Sequence, residues 1–180
     1  GEFLFGTIAD VERAAHFRTL PMPGADAAVR EPWRMAWSAM SEAGLDPERD
    51  FPEFAARRSE AERMAVRFAL ASQLNTPPTS GCGRLFDAVA ALTGIGDVVS
   101  FEAQAAMALE HVAEGRIGLP YGFDLVQDEA YGTPLQLSFL PAIQDIVEAV
   151  RKGTPVGEVS QRFHATLVEG CLAVVRRLAR

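Results

Sequence analysis

Lysine is nearly missing from this chain: of its 17 basic residues only Lys152 is a lysine, and the formal net charge is −7. Phosphate-backbone binding needs a basic face, and no arginine cluster here alternates with aromatics at stacking intervals, so nucleic acid is excluded as a partner. Cysteine is scarce too. Cys82 and Cys171 stand far apart in sequence and belong to no Cys-x-x-Cys or Cys/His spacing. That pattern argues against a zinc site or disulfide framework and fits a reducing cytoplasm. Histidine is equally thin: His16, His111 and His164 occur singly, with no His-x-x-x-His pair to hold a metal. They read as a strand residue, a helix-surface residue and a core-edge residue. No Gly-x-Ser-x-Gly elbow marks a nucleophile. No apolar run approaches the roughly 18 residues of a membrane span, and no basic segment precedes a signal-like core, so no membrane partner is expected.

What is present is ordinary for a globular protein. A length of 180 residues with 48% apolar and 23% charged residues suits a single domain, 1–180, with a sizeable core. The abrupt strand-like opening at Gly1-Glu2-Phe3 reads as a domain cut from a longer protein. Glu2–Ala9 and Val11–Leu20 read as two strands around an Asp10 turn, giving a hairpin over residues 1–20. From about residue 30 onward the pattern is mainly helical. Pro32 suits the first position of a helix to Glu42, with Ala43-Gly44 as its stop and Trp33, Trp37 and Met40 as core. Ser59 caps a helix to about Ser72 that includes Met64, Phe68 and Leu70, with Glu60 and Glu62 in its first turn. Further helices are expected over Cys82–Thr93, from a Ser100 cap to about Glu114, over Pro141–Lys152, and from Pro155 to about Arg177. Short strands are expected near Leu119–Leu125 and over Thr133–Ser138. The fold class is therefore α+β, mainly α, with the hairpin packed on helices rather than built into a large sheet.

The run Asn75-Thr76-Pro77-Pro78-Thr79-Ser80-Gly81-Cys82-Gly83-Arg84-Leu85-Phe86-Asp87 carries the most chemistry. A rigid Pro-Pro turn leads into a helix on which Gly83 and Asp87, four residues apart, share one face. A helical glycine costs about 1 kcal/mol against alanine. It is explained either by a flat ligand lying on the backbone, with Asp87 accepting from a vicinal diol such as a ribose, or by close packing of another helix beside an ordinary solvated Asp87. Cys82 reads as a small packing residue. Arg30, Glu31 and Arg34 flank Pro32-Trp33, and an ion pair there is favoured over an anion site because Glu31 offsets the field. Glu102 and Gln104 read as a helix-dipole partner and a surface amide.

The wording of the run, Thr-Ser-x-x-Gly-Arg-Leu-Phe-Asp-Ala-Val-Ala-Ala-Leu, resembles the catalytic domain of the HypF hydrogenase-maturation carbamoyltransferases. Gly1-Glu2-Phe3-Leu4 with Ala14-Ala15-His16-Phe17-Arg18, Arg30-Glu31-Pro32-Trp33-Arg34-Met35-Ala36, Ser100-Phe101-Glu102-Ala103-Gln104-Ala105-Ala106-Met107, and Arg162-Phe163-His164-Ala165-Thr166-Leu167 are similar to the same family in the same order. The resemblance implies part of a two-lobed domain of the sugar-kinase/actin-like superfamily. In that family ATP and carbamoyl phosphate give carbamoyl adenylate, and the carbamoyl group passes to an acceptor cysteine on a maturation partner protein, toward the cyanide ligands of [NiFe]-hydrogenase. Carried over, Gly83 and Asp87 would contact the adenosine sugar with Arg84 flanking it, and Glu102, Arg30 and Arg34 would support the site. Ser80-Gly81-Cys82-Gly83 departs slightly from the usual Ser-Ser-Met-Gly type, and Ala103 replaces a common glycine. The family's metal-binding histidines and both glycine-rich phosphate loops fall outside the equivalent of 1–180. The resemblance thus implies a segment inactive alone, holding no metal or cofactor tightly and needing the remaining domains. Exposed strand edges imply self-association into a homo-oligomer. The alternative is a related stand-alone binding or regulatory module without catalysis.

Overall fold

A computed structural model describes residues 1–7, 9–113, 118–127 and 133–179. Strands β1 (Glu2–Gly6) and β2 (Val11–Phe17) form the antiparallel hairpin, with an irregularity in register between Phe3 and Leu4. Both are shorter than their apolar patterns. Gly6 turns out of β1 at φ +146, and Thr7 donates to the Asp10 carbonyl at 2.8 Å, which closes the turn; Ile8 lies outside the described residues. At the far end, Leu20–Pro21 leaves β2 to form a separate strand β3, paired with β4 (Pro78–Thr79).

The hairpin belongs to a larger unit than its sequence implies. β2 pairs in parallel with β6 (Leu135–Ser138), and β6 pairs antiparallel with β5 (Asp124–Val126), so the sheet runs β1-β2-β6-β5. The register sets Ala15 against Leu135 and Phe17 against Leu137, and all four are buried. Alternation with period two brings these apolar side chains to one face, and covering that face drives the pairing. The strand expected near Leu119–Leu125 is displaced to Asp124–Val126, and that expected over Thr133–Ser138 begins at Leu135.

The helices are α1 (Asp26–Arg30), α2 (Pro32–Glu42), α3 (Pro47–Asp50), α4 (Pro52–Ala55), α5 (Glu60–Ser72), α6 (Cys82–Leu92), α7 (Gln104–Val112), α8 (Leu140–Arg151) and α9 (Val156–Leu178). Their ends follow local chemistry. Pro32, Pro47 and Pro52 occupy first helical positions, and Ser59 and Glu62 form a reciprocal capping box on α5. Gly44, Gly94 and Gly153 follow α2, α6 and α8 with φ near +77, a conformation that favours glycine. α7 departs from expectation. It starts at Gln104 rather than Ser100, behind Ala103 at φ +62, and Gln104 Oε1 accepts from both the Ser100 N–H (2.7 Å) and hydroxyl (3.2 Å). Glu102 therefore precedes the helix, exposed, instead of sitting in its first turn. Glu114 lies outside the described residues.

The most extensive helix contact is α2 against α6. Ala36 and Ala39 on α2 and Ala88, Ala90 and Ala91 on α6 are essentially inaccessible to solvent, and small side chains let two helices approach closely. Trp33, Trp37 and Met40 are buried as expected, whereas Met64 and Phe68 on α5 stand more than half exposed. At the other end of the chain Gly170 of α9 admits Leu137 and Phe139 within 3.2 Å of where a Cβ would lie, seating α9 on the sheet. The result holds the N-terminal turn of α6 beside the hairpin.

Candidate functional site

The approach to α6 is fixed on both sides. Met22 N–H donates to the Pro77 carbonyl (2.9 Å), the Ser80 hydroxyl donates to Glu2 Oε1 (2.6 Å), and Gly81 N–H donates to Thr79 Oγ1 (3.1 Å). Gly81 then starts the helix with no side-chain cap. Gly83 lies in the first turn and is exposed, and a Cβ built on it would meet nothing within 4 Å. Close packing against another described element of this chain therefore does not explain the glycine. The explanation of Asp87 as a solvated carboxylate fails as well, since the residue is only 5% exposed.

Asp87 is in an unusual state for a carboxylate. Its Oδ2 is buried without a hydrogen-bond partner among the described residues, and Arg84 Nη2 lies 2.9 Å away as an ion-pair contact rather than an aligned hydrogen bond. Arg84 Nη1 is likewise buried and unbonded. Burial raises the Asp87 pKa from 3.8 to about 6, with the Arg84 charge pulling against that rise. A desolvated carboxylate beside an open stretch of helix backbone is suited to a ligand hydroxyl, whose hydrogen bond would offset part of the cost of its burial.

The structure gathers Gly83, Arg84 and Asp87 on one helix and leaves the other candidates elsewhere. Arg34 pairs with Glu31 at 2.5 Å and stacks on the Trp33 ring with 4.9 Å to the centroid, while Arg30 is exposed. Neither of them, nor Glu102, acts on Asp87. Cys82 packs at the edge of the core, and burial holds its thiol above its ordinary pKa. His16 is buried in β2, His111 is exposed, and the His164 ring meets the edge of Phe86 at the margin of the core. Among the described residues no group of three or more His, Cys, Asp or Glu stands close enough to hold a metal ion. No described helix is long and apolar enough to cross a membrane.

One polar cluster had no signature in the sequence. Asp97, in the loop after α6, contacts Arg57 (3.1 Å) and Arg58 (2.6 Å), and Arg57 also donates to the Ala91 carbonyl (2.7 Å). It ties the α4–α5 connection to the C-terminal end of α6. A groove of about 940 Å³ opens at that same end, lined by Phe51, Phe54, Arg57, Thr93 and Arg151 among others. Gly83 and Asp87 do not line it.

These features define a small, mainly helical α+β subdomain that carries a desolvated carboxylate and an open glycine on one helix. Over residues 1–180 the sequence matches the family described as "Carbamoyltransferase, Kae1-like Domain, second subdomain". The chain is 43% identical to carbamoyltransferase HypF2 of Cupriavidus necator across 93% of its own length and 23% of that protein's. It is 36% identical to carbamoyltransferase HypF of Rhodobacter capsulatus across 99% of its length and 22% of the relative's. Its fold superposes on a full-length HypF, crystallised in a phosphate- and nucleotide-bound form, with a TM-score of 0.87 and 27% identity, over 98% of this chain and 22% of that one. The chain belongs to the HypF carbamoyltransferase family, as the second subdomain of the Kae1-like domain. It spans less than a quarter of the length of these relatives.

Proposed function

We propose that this chain supplies the sugar-binding side of an adenine-nucleotide site in an ATP-dependent carbamoyltransferase that makes the carbamoyl precursor of the cyanide ligands in [NiFe]-hydrogenase maturation. The observation that carries the reading is the pairing, on one helix face, of the desolvated Asp87 carboxylate with the empty space above Gly83. A ribose offers vicinal hydroxyls that donate to a carboxylate, and its flat approach needs a helix face without a Cβ. The nucleotide in the solved HypF relative supports the choice of ligand. ATP or carbamoyl adenylate would thus be held by Gly83 and Asp87 through the sugar. The phosphate loops and metal ligands would come from the remaining domains of the carbamoyltransferase, and the acceptor cysteine from a maturation partner in the cytoplasm. By itself the chain would hold half a site and carry no transfer activity.

Adenosine and its 2′,3′-dideoxy analogue test this directly. Titrated at millimolar concentration into isotope-labelled chain, adenosine should shift the backbone amide resonances of residues 79–87, and the dideoxy analogue should not. Equal shifts with both compounds, or none with either, would overturn the diol assignment. In a full-length carbamoyltransferase carrying this segment, Gly83→Leu and Asp87→Ala should each abolish transfer without loss of fold.

A further inference from the structure

We infer that Arg84 is a positioning residue for Asp87 rather than a ligand contact: its guanidinium turns inward and holds the carboxylate ionised and in one orientation. This deepens, and rests on, the assignment of Asp87 as the sugar-binding group. The geometry separates the two roles. A nucleotide-contacting arginine presents its donors outward, but Arg84 Nη2 faces Asp87 Oδ2 at 2.9 Å in an ion pair and Nη1 is inaccessible from the surface. Its stem borders an apolar cleft formed by Leu20, Leu85 and Ile143. Charged side chains that lay their stems on apolar surface have little freedom to swing out toward a ligand.

Nothing else is placed to do the same work. Among the described residues Arg84 is the one charge that acts on the Asp87 carboxyl. The helices packed on α6, namely α2, α7 and α8, bring no charged group to bear on it, and α9 meets α6 through Phe163 and His164 on Phe86. The i,i+3 spacing makes the pair intrinsic to one helix, so the orientation is set before any ligand arrives. With Arg84 on Oδ2, the part of the Asp87 side chain that keeps slight exposure is left for the hydroxyls of the sugar.

The test follows the Asp87 side-chain carboxyl ¹³C signal and adenosine affinity across pH in wild type, Arg84→Met, Arg84→Lys and Asp87→Asn. Adenosine carries the diol but no group that titrates near neutrality. An adjacent opposite charge lowers a carboxyl pKa by about 1–3 units, so Arg84→Met should move the Asp87 midpoint up by about one unit or more. Affinity near pH 7 should then fall about twofold for one unit and about tenfold for two, and return by about pH 9 as Asp87 ionises. Arg84→Lys, which keeps the charge, should restore most of the midpoint. Affinity lost equally at all pH values with an unmoved midpoint would make Arg84 a direct ligand contact and overturn the inference. Unchanged affinity in Asp87→Asn would instead remove the sugar-binding reading beneath it. If Arg84→Met does not fold, Arg84→Gln takes its place: an Asp87 midpoint raised above wild type supports the inference, and an unmoved midpoint overturns it.

Discussion

The stability of Asp87→Asn relative to the parent protein should be higher at neutral pH than in acid. The carboxyl has a folded-state pKa of about 6 against an ordinary 3.8, so the folded chain binds a proton more tightly than the unfolded one. Stability must then fall as pH rises between those values, and stay low above pH 6. At about 1.4 kcal/mol per pKa unit, the span is about 3 kcal/mol, and between about pH 4 and pH 7.5 it amounts to about 2–3 kcal/mol. Asparagine keeps the shape and an acceptor for Arg84 but never titrates. Its constant offset in packing or hydrogen bonding cancels when the variant's advantage is compared at the two pH values. Urea denaturation of both proteins near pH 4 and near pH 7.5 measures that difference. The Asp87→Asn advantage should grow by about 2–3 kcal/mol on going to neutral pH. An advantage that does not change with pH, or a loss at pH 7.5 as large as at pH 4, would refute the desolvated state assigned to Asp87.

Gly83→Ala should raise stability by up to about 1 kcal/mol, because the new Cβ meets open space while the helix gains a better former; thermal unfolding measures it, and adenosine affinity should fall at the same time. Gly157→Ala should act in the opposite sense, losing about 1–3 kcal/mol in the same assay, since its Cβ would come within 2.6 Å of the Val112 carbonyl oxygen. Asp97→Ala strips the shared carboxylate from Arg57 and Arg58, both well covered, and should cost about 2–3 kcal/mol in denaturation. The chain should self-associate through the free edge of β1, where Leu4 and Phe5 are 65% and 73% exposed, and Phe5→Lys should lower the mass seen by light scattering.

Much of the helical frame was legible because its signals are local. Pro32, the Ser59–Glu62 box and the glycines after α2, α6 and α8 each act within one or two turns of the residue that reveals them. The α7 boundary was not, because a serine in a good capping position lost to a glutamine side chain one turn later, and only the positive φ of Ala103 shows the outcome. The four-stranded sheet was out of reach for a different reason. Ala15 and Leu135 are 120 residues apart, and no local pattern says that two short strands will share a face. The candidate site divides along the same line. The 3.6-residue period placed Gly83 and Asp87 together, whereas the burial of Asp87 is a tertiary property, set by the elements that pack around α6.

That division explains why the same two residues read so differently once the fold is known. Most polar and glycine choices in this chain are consistent with stability. Gly44, Gly94 and Gly153 take positive φ, Gly157 and Gly170 admit close neighbours, and the half-buried Asp97 is met by two arginines. Gly83 does none of these things: it weakens a helix turn and faces open space. Asp87 is more deeply buried than Asp97 yet meets a single arginine where Asp97 meets two, and each keeps one buried oxygen without a hydrogen bond among the described residues. Local rules are broken twice within one turn of one helix, on one face, and each break costs folding free energy. Such paired departures mark places where a protein holds chemistry ready for something it does not itself contain. A diol laid across Gly83 and bonded to Asp87 would relieve both at once, which neither a packing role for the glycine nor a solvent role for the carboxylate achieves.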